Sequence, residues 1–346
     1  MSNVQDLTVQ FYYDENTERQ FYMPGDVMRG VITVYLRGPI TVRTIELFVS
    51  GIGAVSWEIP GKKKLYSSKE TYLEGAKKVV EEQNGRALSL GRGAHEYPFQ
   101  YQLPTDMPSS FNGVYGNITY LTKVSLECED ERHNLIVSEP FLFLRRPFLP
   151  AETSSDKDMS TSRSYFGFCT SGKVKAQCSL TRTGGVPGED ISINADVMNW
   201  SPREILVIQA AIILDSVYYA RGKKIAFRQI INKREDPYDF DNRKGRRWRN
   251  VLMAIPPYIA ETNLKFCNIM DVSYTFQFRV AVSGTEDIQL ECPIFVGGHP
   301  EGYDPRGGNS ALTPSNVVTS EMFPWHTGQQ STVTESVDGD AFFGYR

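Results

Sequence analysis

Hydrophobic and polar residues alternate with a period of two along most of this chain, the pattern of strands with one buried face. Residues 7–13 alternate and run into Asp14-Glu15-Asn16, a turn. Residues 42–51 alternate again, and the pattern continues through Gly51-Ile52-Gly53 to Trp57, where the two glycines predict a bulge or bend. Residues 58–70, with Pro60-Gly61 and three lysines, read as a long hairpin tip. Residues 72–80 read as strand, with room for one short helix within 74–83, and residues 95–104 read as an extended segment ended by Pro104. Further strands are predicted at 117–126, 172–181, 191–198, 205–214, 226–231, 249–254, 264–267, 272–282 and 288–296, and residues 139–148 close the first domain. The run at 205–214 is apolar apart from Gln209, which fits a buried strand. A long helical period is absent.

Two sequence idioms occur twice, in the same order. Met23-Pro24-Gly25-Asp26 leads into an alternating strand from Gly30, and Val186-Pro187-Gly188-Glu189 leads into another from Ile191. Proline presets the turn and glycine supplies a positive φ. Asn117-Ile118-Thr119-Tyr120-Leu121 lies late in the first half, and Val272-Ser273-Tyr274-Thr275-Phe276 holds the matching place in the second. A spacing of about 160 residues is too long for a solenoid period and fits two similar β domains in tandem.

Composition narrows this further. A length of 346 residues accommodates two domains of ordinary size, and 12% aromatic content favours strands. Residues 151–162 are rich in Ser, Thr and Asp and read as a linker, placing the first domain at 1–150 and the second at 163–300. From Glu301 to Arg346 the chain carries ten Ser/Thr and six acidic residues, the composition of a disordered tail. The fold class is therefore all-β: two tandem β-sandwiches followed by that tail. Net charge is −4, which argues against general nucleic-acid binding. No stretch approaches the roughly 20 apolar residues of a membrane span, and the N-terminus lacks a secretory pattern. The five cysteines, Cys128, Cys169, Cys178, Cys267 and Cys292, form no CxxC pair and read as reduced and mostly buried.

Several ordered fragments carry a family likeness. They are Phe99-Gln100-Tyr101-Gln102-Leu103-Pro104, Pro108-Ser109-Ser110-Phe111-Asn112-Gly113 and Gly116-Asn117-Ile118-Thr119-Tyr120 in the first half. In the second they are Tyr218-Tyr219-Ala220-Arg221-Gly222-Lys223, Trp248 through Ile255-Pro256-Pro257, and Glu291-Cys292-Pro293-Ile294-Phe295-Val296-Gly297. Over roughly residues 7–300 the chain resembles the α-arrestins, the arrestin domain-containing proteins, with Asn112 where the family usually has Glu. The resemblance implies two arrestin-type, immunoglobulin-like sandwiches. It also implies a non-catalytic intracellular adaptor that gathers membrane cargo for endocytosis and sorting. The expected partners are cytosolic tails of membrane proteins, with ubiquitin ligases reached indirectly and weak contact with anionic membrane; the expected location is the cytoplasm, with recruitment to plasma membrane or endosomes. Many relatives recruit ligases through PPxY in the tail. Here the one Pro-Pro, Pro256-Pro257, is followed by Tyr258-Ile259, so that motif is missing. The charged polar core of the visual and β-arrestin branch has no counterpart assignable from sequence.

Two basic tracts are the candidate lipid or cargo contacts. Lys62, Lys63 and Lys64 sit at the predicted hairpin tip. Arg243, Lys244, Arg246, Arg247 and Arg249 are five basic residues in seven, suited to pairing with phosphate or carboxylate. The bland alternatives are a solvated tip and a charged loop preceding a strand, with Trp248 a core anchor. The four histidines fit no metal-ligand spacing, and no GxSxG elbow, dinucleotide fingerprint or phosphate loop is found. The reading is of no enzyme, no cofactor and no metal. A signalling scaffold acting through the tail is the alternative function.

Overall fold

The computed structural model of the chain describes residues 2–13, 19–59, 64–82, 87–166, 171–236, 245–299 and 332–334. The chain separates into two compact units. One comprises Met1–Arg145, Tyr219–Gly222 and Leu264–Met270; the other comprises Arg146–Tyr218, Lys223–Asn263 and Asp271–Arg346.

The first unit holds β1 (Val4–Tyr12), β2 (Val27–Leu36), β3 (Ile40–Glu58), β4 (Leu65–Glu81), β5 (Leu88–Leu90), β6 (Gly93–Gln102), β7 (Phe111–Asn112), β8 (Gly116–Cys128) and β9 (Leu135–Phe141). One sheet has the order β1-β2-β6. The other runs β4-β3-β8-β7, with β9 also on β8 and β5 on β3. The second unit holds β10 (Lys157–Phe166), β11 (Ser171–Leu180), β12 (Gly184–Gly185), β13 (Asp190–Asn199), β14 (Ile205–Ala220), β15 (Lys223–Glu235), β16 (Arg246–Ala254), β17 (Met270–Val282), β18 (Ile288–Val296) and β19 (Thr332–Thr334), apart from the last two residues of β14 and the first of β17. Its sheets run β10-β11-β13-β16 and β12-β18-β17-β14-β15-β19.

The two topologies correspond. In each unit the strand after the Pro-Gly turn, β2 or β13, lies between two neighbours of its sheet. The facing sheet reads β4-β3-β8-β9 in one unit and β15-β14-β17-β18 in the other. The turns also match: the Asp26 amide donates to the Met23 carbonyl at 3.1 Å and the Glu189 amide to the Val186 carbonyl at 3.0 Å. Gly25 and Gly188 take φ of 79° and 93°, conformations that a side chain strains.

Alternation places the cores. β13 and β17 bury every second residue over most of their lengths. In the first unit Phe11, Tyr22, Phe99, Tyr120, Phe141 and Phe143 form a connected aromatic cluster with ring centroids 5.5–6.4 Å apart. The Tyr120 hydroxyl donates to the Pro108 carbonyl at 2.6 Å. Tyr274, at the matching place on β17, donates to the Ala260 carbonyl at 2.9 Å. The Pro-Ser-Ser-Phe segment fastens the chain beyond β9: Ser109 Oγ accepts from the Arg145 amide at 2.7 Å and Ser110 Oγ from the Phe143 amide at 3.1 Å. A two-residue turn with positive φ at Arg221 (51°) and Gly222 (72°) joins β14 to β15, as a tight hairpin requires.

Several sequence expectations are corrected. The described residues of 74–83 hold no helix, because β4 extends over Leu65–Glu81 and pairs with β3 along that length. The same pairing shortens the expected hairpin tip, with Trp57 stacked on Tyr66 at 5.8 Å. Residues 264–267 are not a strand: Asn263 (φ 62°) and Phe266 (φ 70°) are left-handed, which breaks extended backbone. Residues 151–162, expected as linker, contain a 3-10 turn at Ala151–Ser154 and the first part of β10. That strand is an edge strand with mostly exposed side chains, so no apolar period announces it. The expected tail contains the strand β19; its other residues lie outside the described ones. The bulge predicted near Gly51 is present, as a register shift between Gly51 and Ile52.

Gly51 lies under Tyr120, and a Cβ there would stand 2.3 Å from the ring. Gly51→Ala is expected to lower unfolding free energy by about 1–3 kcal/mol, the usual cost of overpacking. Gly91→Ala, where a Cβ meets nothing within 4 Å, leaves it unchanged or slightly raised. Urea unfolding of both variants checks this.

Candidate functional site

Of the second basic tract, the described arginines are in a strand and not a loop. Arg246, Arg247 and Arg249 open β16, which pairs with β13. Strand alternation sends neighbours to opposite faces. Trp248 is turned inward, 5% exposed, with its ring edge on Phe278 at 5.5 Å. Its Nε1 donates to Asp236 Oδ2 at 3.0 Å, and Arg246 Nε reaches the same oxygen at 2.9 Å. Arg247 and Arg249 instead converge on Asp196 of β13, with Arg247 Nε at 2.6 Å and Arg249 Nη2 at 2.9 Å. The tract therefore divides into two ion-paired groups. Arg243 and Lys244 lie outside the described residues.

Asp196 is the centre of the exposed group. Its partial burial favours the protonated acid, but hydrogen bonds from Arg247 and Arg249 outweigh that and hold its pKa below the ordinary aspartate value. Both arginine side chains are half-exposed or more, at 66% and 50%. Beside them Met159, Gln177, Cys178, Ser179, Asn194, Ala195 and Asp196 line a shallow recess of about 140 Å³. That is smaller than the few hundred cubic ångströms of a usual small-molecule pocket.

Of the first basic tract, Lys64 is described and exposed, its Nζ 5.2 Å from the centre of the Tyr66 ring. Lys62 and Lys63 lie outside the described residues. The structure thus places Lys64 in the first unit and Arg246, Arg247 and Arg249 in the second.

Sequence reasoning missed a polar cluster on the second unit. Outward-facing positions of β14, β15, β17 and β18 carry Asp215, Arg228, Thr275, Gln277 and Glu291. Arg228 Nε lies 3.1 Å from Asp215 Oδ1, and its Nη2 lies 3.0 Å from Glu291 Oε2. Thr275 Oγ1 donates to Asp215 at 2.7 Å and Gln277 Nε2 to Glu291 at 2.6 Å. Arg228 and Glu291 sit three strand spacings apart, about 14 Å in a flat sheet. The two long side chains together bridge that span, passing over β14 and β17. Burial raises the Asp215 pKa despite the Thr275 hydrogen bond and the Arg228 charge. The sequence signal was weak: single polar residues at alternate positions of four separate strands.

A second missed feature is a buried charge group. Arg146 donates to the Ile259 carbonyl at 3.0 Å. Burial pulls its pKa down to about 10, opposed by the charges of Glu261 and Tyr274. Glu261 is 1% exposed. In the first unit, Glu70 accepts from the Asn268 amide at 3.1 Å and from Tyr72 Oη at 2.6 Å, and Tyr72 Oη also lies 3.1 Å from Cys267 Sγ. Among the described residues, no group of three or more His, Cys, Asp or Glu is placed to hold a metal ion. No helix among them is long and apolar enough to cross a membrane.

Comparison with known proteins agrees with the topology. Residues 9–142 match the family model "Arrestin (or S-antigen), N-terminal domain", and residues 170–301 match "Arrestin (or S-antigen), C-terminal domain". Arrestin domain-containing protein 4 of Mus musculus is 26% identical over 313 residues, covering 86% of this chain and 74% of the relative. Its Homo sapiens counterpart is 25% identical, covering 86% and 73%. Thioredoxin-interacting protein of Mus musculus is 25% identical over 322 residues, covering 90% and 77%.

Asp196→Asn tests the charge pairing. An exposed pair contributes less than about 1 kcal/mol, so the stability loss at neutral pH is expected to be that small. Because the folded pKa is depressed, the contribution is complete above the unfolded value. It fades as pH falls through the folded one, and the variants then converge. Urea unfolding across acidic pH measures this. Freeing the two arginines is also expected to raise affinity for phosphatidylserine vesicles about fivefold, from about 1 kcal/mol per exposed basic charge partly realised; vesicle co-sedimentation measures it.

Proposed function

Because the chain belongs to the arrestin family, in its α-arrestin branch, we propose that it is a non-catalytic adaptor that gathers membrane proteins by their cytosolic tails for endocytosis and sorting. The family is one of adaptors and scaffolds. The observation that carries the reading is that the two family domains occupy most of the chain, in order, on matching sandwich topologies.

The surfaces suit docking. Arg247 and Arg249 of β16 are half-exposed or more, both already held by Asp196. Such groups exchange partners at modest net gain, since a new anion replaces Asp196 and does not meet a bare charge. Weak single contacts gain strength where cargo is clustered on a membrane, through effective concentration. The working location is then the cytoplasmic face of plasma membrane or endosomes. Ligase recruitment, if used, proceeds through another protein, because the tail lacks PPxY.

A thiol-based docking role is disfavoured among the described cysteines. Burial raises Cys128 and Cys292 to about 11, and raises Cys178 and Cys267 as well, which keeps them protonated and poorly nucleophilic near neutral pH. Cys169 lies outside the described residues.

Proximity labelling in living cells, with the full chain and with residues 301–346 deleted, tests the proposal. An adaptor of this kind labels cytosolic tails of membrane proteins with either form. A tail-driven scaffold loses its partners on deletion. Labelling that contains no membrane protein in either form contradicts the adaptor reading.

A further inference from the structure

An exposed strand edge presents unpaired amide and carbonyl groups and invites another strand. Proteins guard such edges with charges or proline. In β15 the guards stand at the two ends: Lys223 and Lys224 at the start, Lys233 and Arg234 near the finish. Between them runs Ala226-Phe227-Arg228-Gln229-Ile230-Ile231, with no proline or lysine. Its one charge, Arg228, is directed onto the face of the sheet by Asp215 and Glu291 and does not shield the edge. Phe227 is buried on the other face at 8% exposure. The middle of this edge is therefore an unguarded template for pairing.

The structure shows what covers it. β19 lies antiparallel along this edge, with Thr332 opposite Arg228, Val333 opposite Phe227 and Thr334 opposite Ala226. Threonine and valine are strand formers, and Thr332-Val333-Thr334 is a short alternating run in a Ser/Thr-rich, acidic segment. Three residues pair weakly in isolation. Attachment to the same chain raises their effective concentration to the millimolar range, which compensates for few hydrogen bonds.

We propose that the edge of β15 at Ala226–Arg228 is a strand-addition site whose occupant is the chain's own segment Thr332–Thr334. The tail is thus a cover over a docking edge of the second unit as well as an appendage. An extended peptide that uses this edge must displace the cover first, so the tail sets the threshold for strand-mediated binding. This inference does not depend on what the adaptor carries, and its test involves no cargo.

Amide hydrogen exchange on the full-length chain provides the test. The variant replaces Thr332, Val333 and Thr334 each by Pro, which removes every amide donor of the strand whichever residues face β15. The strand is the last of its sheet, so an unchanged thermal midpoint is expected. Exchange at Ala226–Arg228 is expected to quicken about tenfold, the loss of one to two net hydrogen bonds, while Ile191–Val197 of β13 is unaffected. A peptide of residues 328–338, added to the variant at millimolar concentration, is expected to restore protection. Equal exchange in wild type and variant overturns the proposal, as does a peptide that gives no protection. Wild-type protection that grows with protein concentration assigns the strand to a second copy and overturns occupancy within one chain.

Discussion

In each unit one buried tyrosine hydroxyl ties a central strand to the loop that precedes it. Tyr120 on β8 holds the carbonyl of Pro108, and Tyr274 on β17 holds that of Ala260. Both rings are essentially buried, at 0% and 2% exposure. A buried hydroxyl without a partner is costly, as is a buried carbonyl without one, so each pair fixes a loop against a sheet. The first loop carries Ser109 and Ser110, which pin the chain from Phe143 to Arg145. The second carries Glu261 close to the buried cation Arg146. Strand order, loop position and the polar groups in each unit are thereby referred to one repeated contact.

Period-two alternation made the fold class legible, and the repeated Pro-Gly turn and tyrosine-bearing strand made the duplication legible. Those signals come from buried positions, where packing dictates residue type. What stayed hidden lies where packing dictates little. β10 has an exposed sequence on a sheet edge, so its Ser/Thr/Asp content read as linker. β4 reads as strand only from residue 72 and leaves room for a short helix, because its charged, exposed positions obscure the alternation. The turn at 263–267 depends on left-handed backbone at Asn263 and Phe266, which apolar composition does not announce.

The candidate site was legible only as charge. The sequence shows five basic residues in seven, but not that Asp196 lies on the next strand between two of them, 51 and 53 residues away. Nor does it show that one arginine pairs beside the inward-facing tryptophan. The polar cluster around Arg228 was invisible for the same reason: its members are single residues on four strands, joined by side-chain contacts. The recess beside Asp196 is small and the two arginines next to it are already paired, an arrangement that suits shallow contacts and agrees with the proposed docking role.

The central claim is that one sandwich design is used twice and closed by the same contact each time. Urea unfolding of Tyr120→Phe, Tyr274→Phe and the double variant tests it most directly. The account predicts similar losses of about 1–2 kcal/mol for each, from an orphaned buried carbonyl. The losses should be additive in the double variant, since the two hydroxyls share no hydrogen-bond acceptor. A loss at one tyrosine with none at the other would contradict it, because the two halves would then be held together by different means.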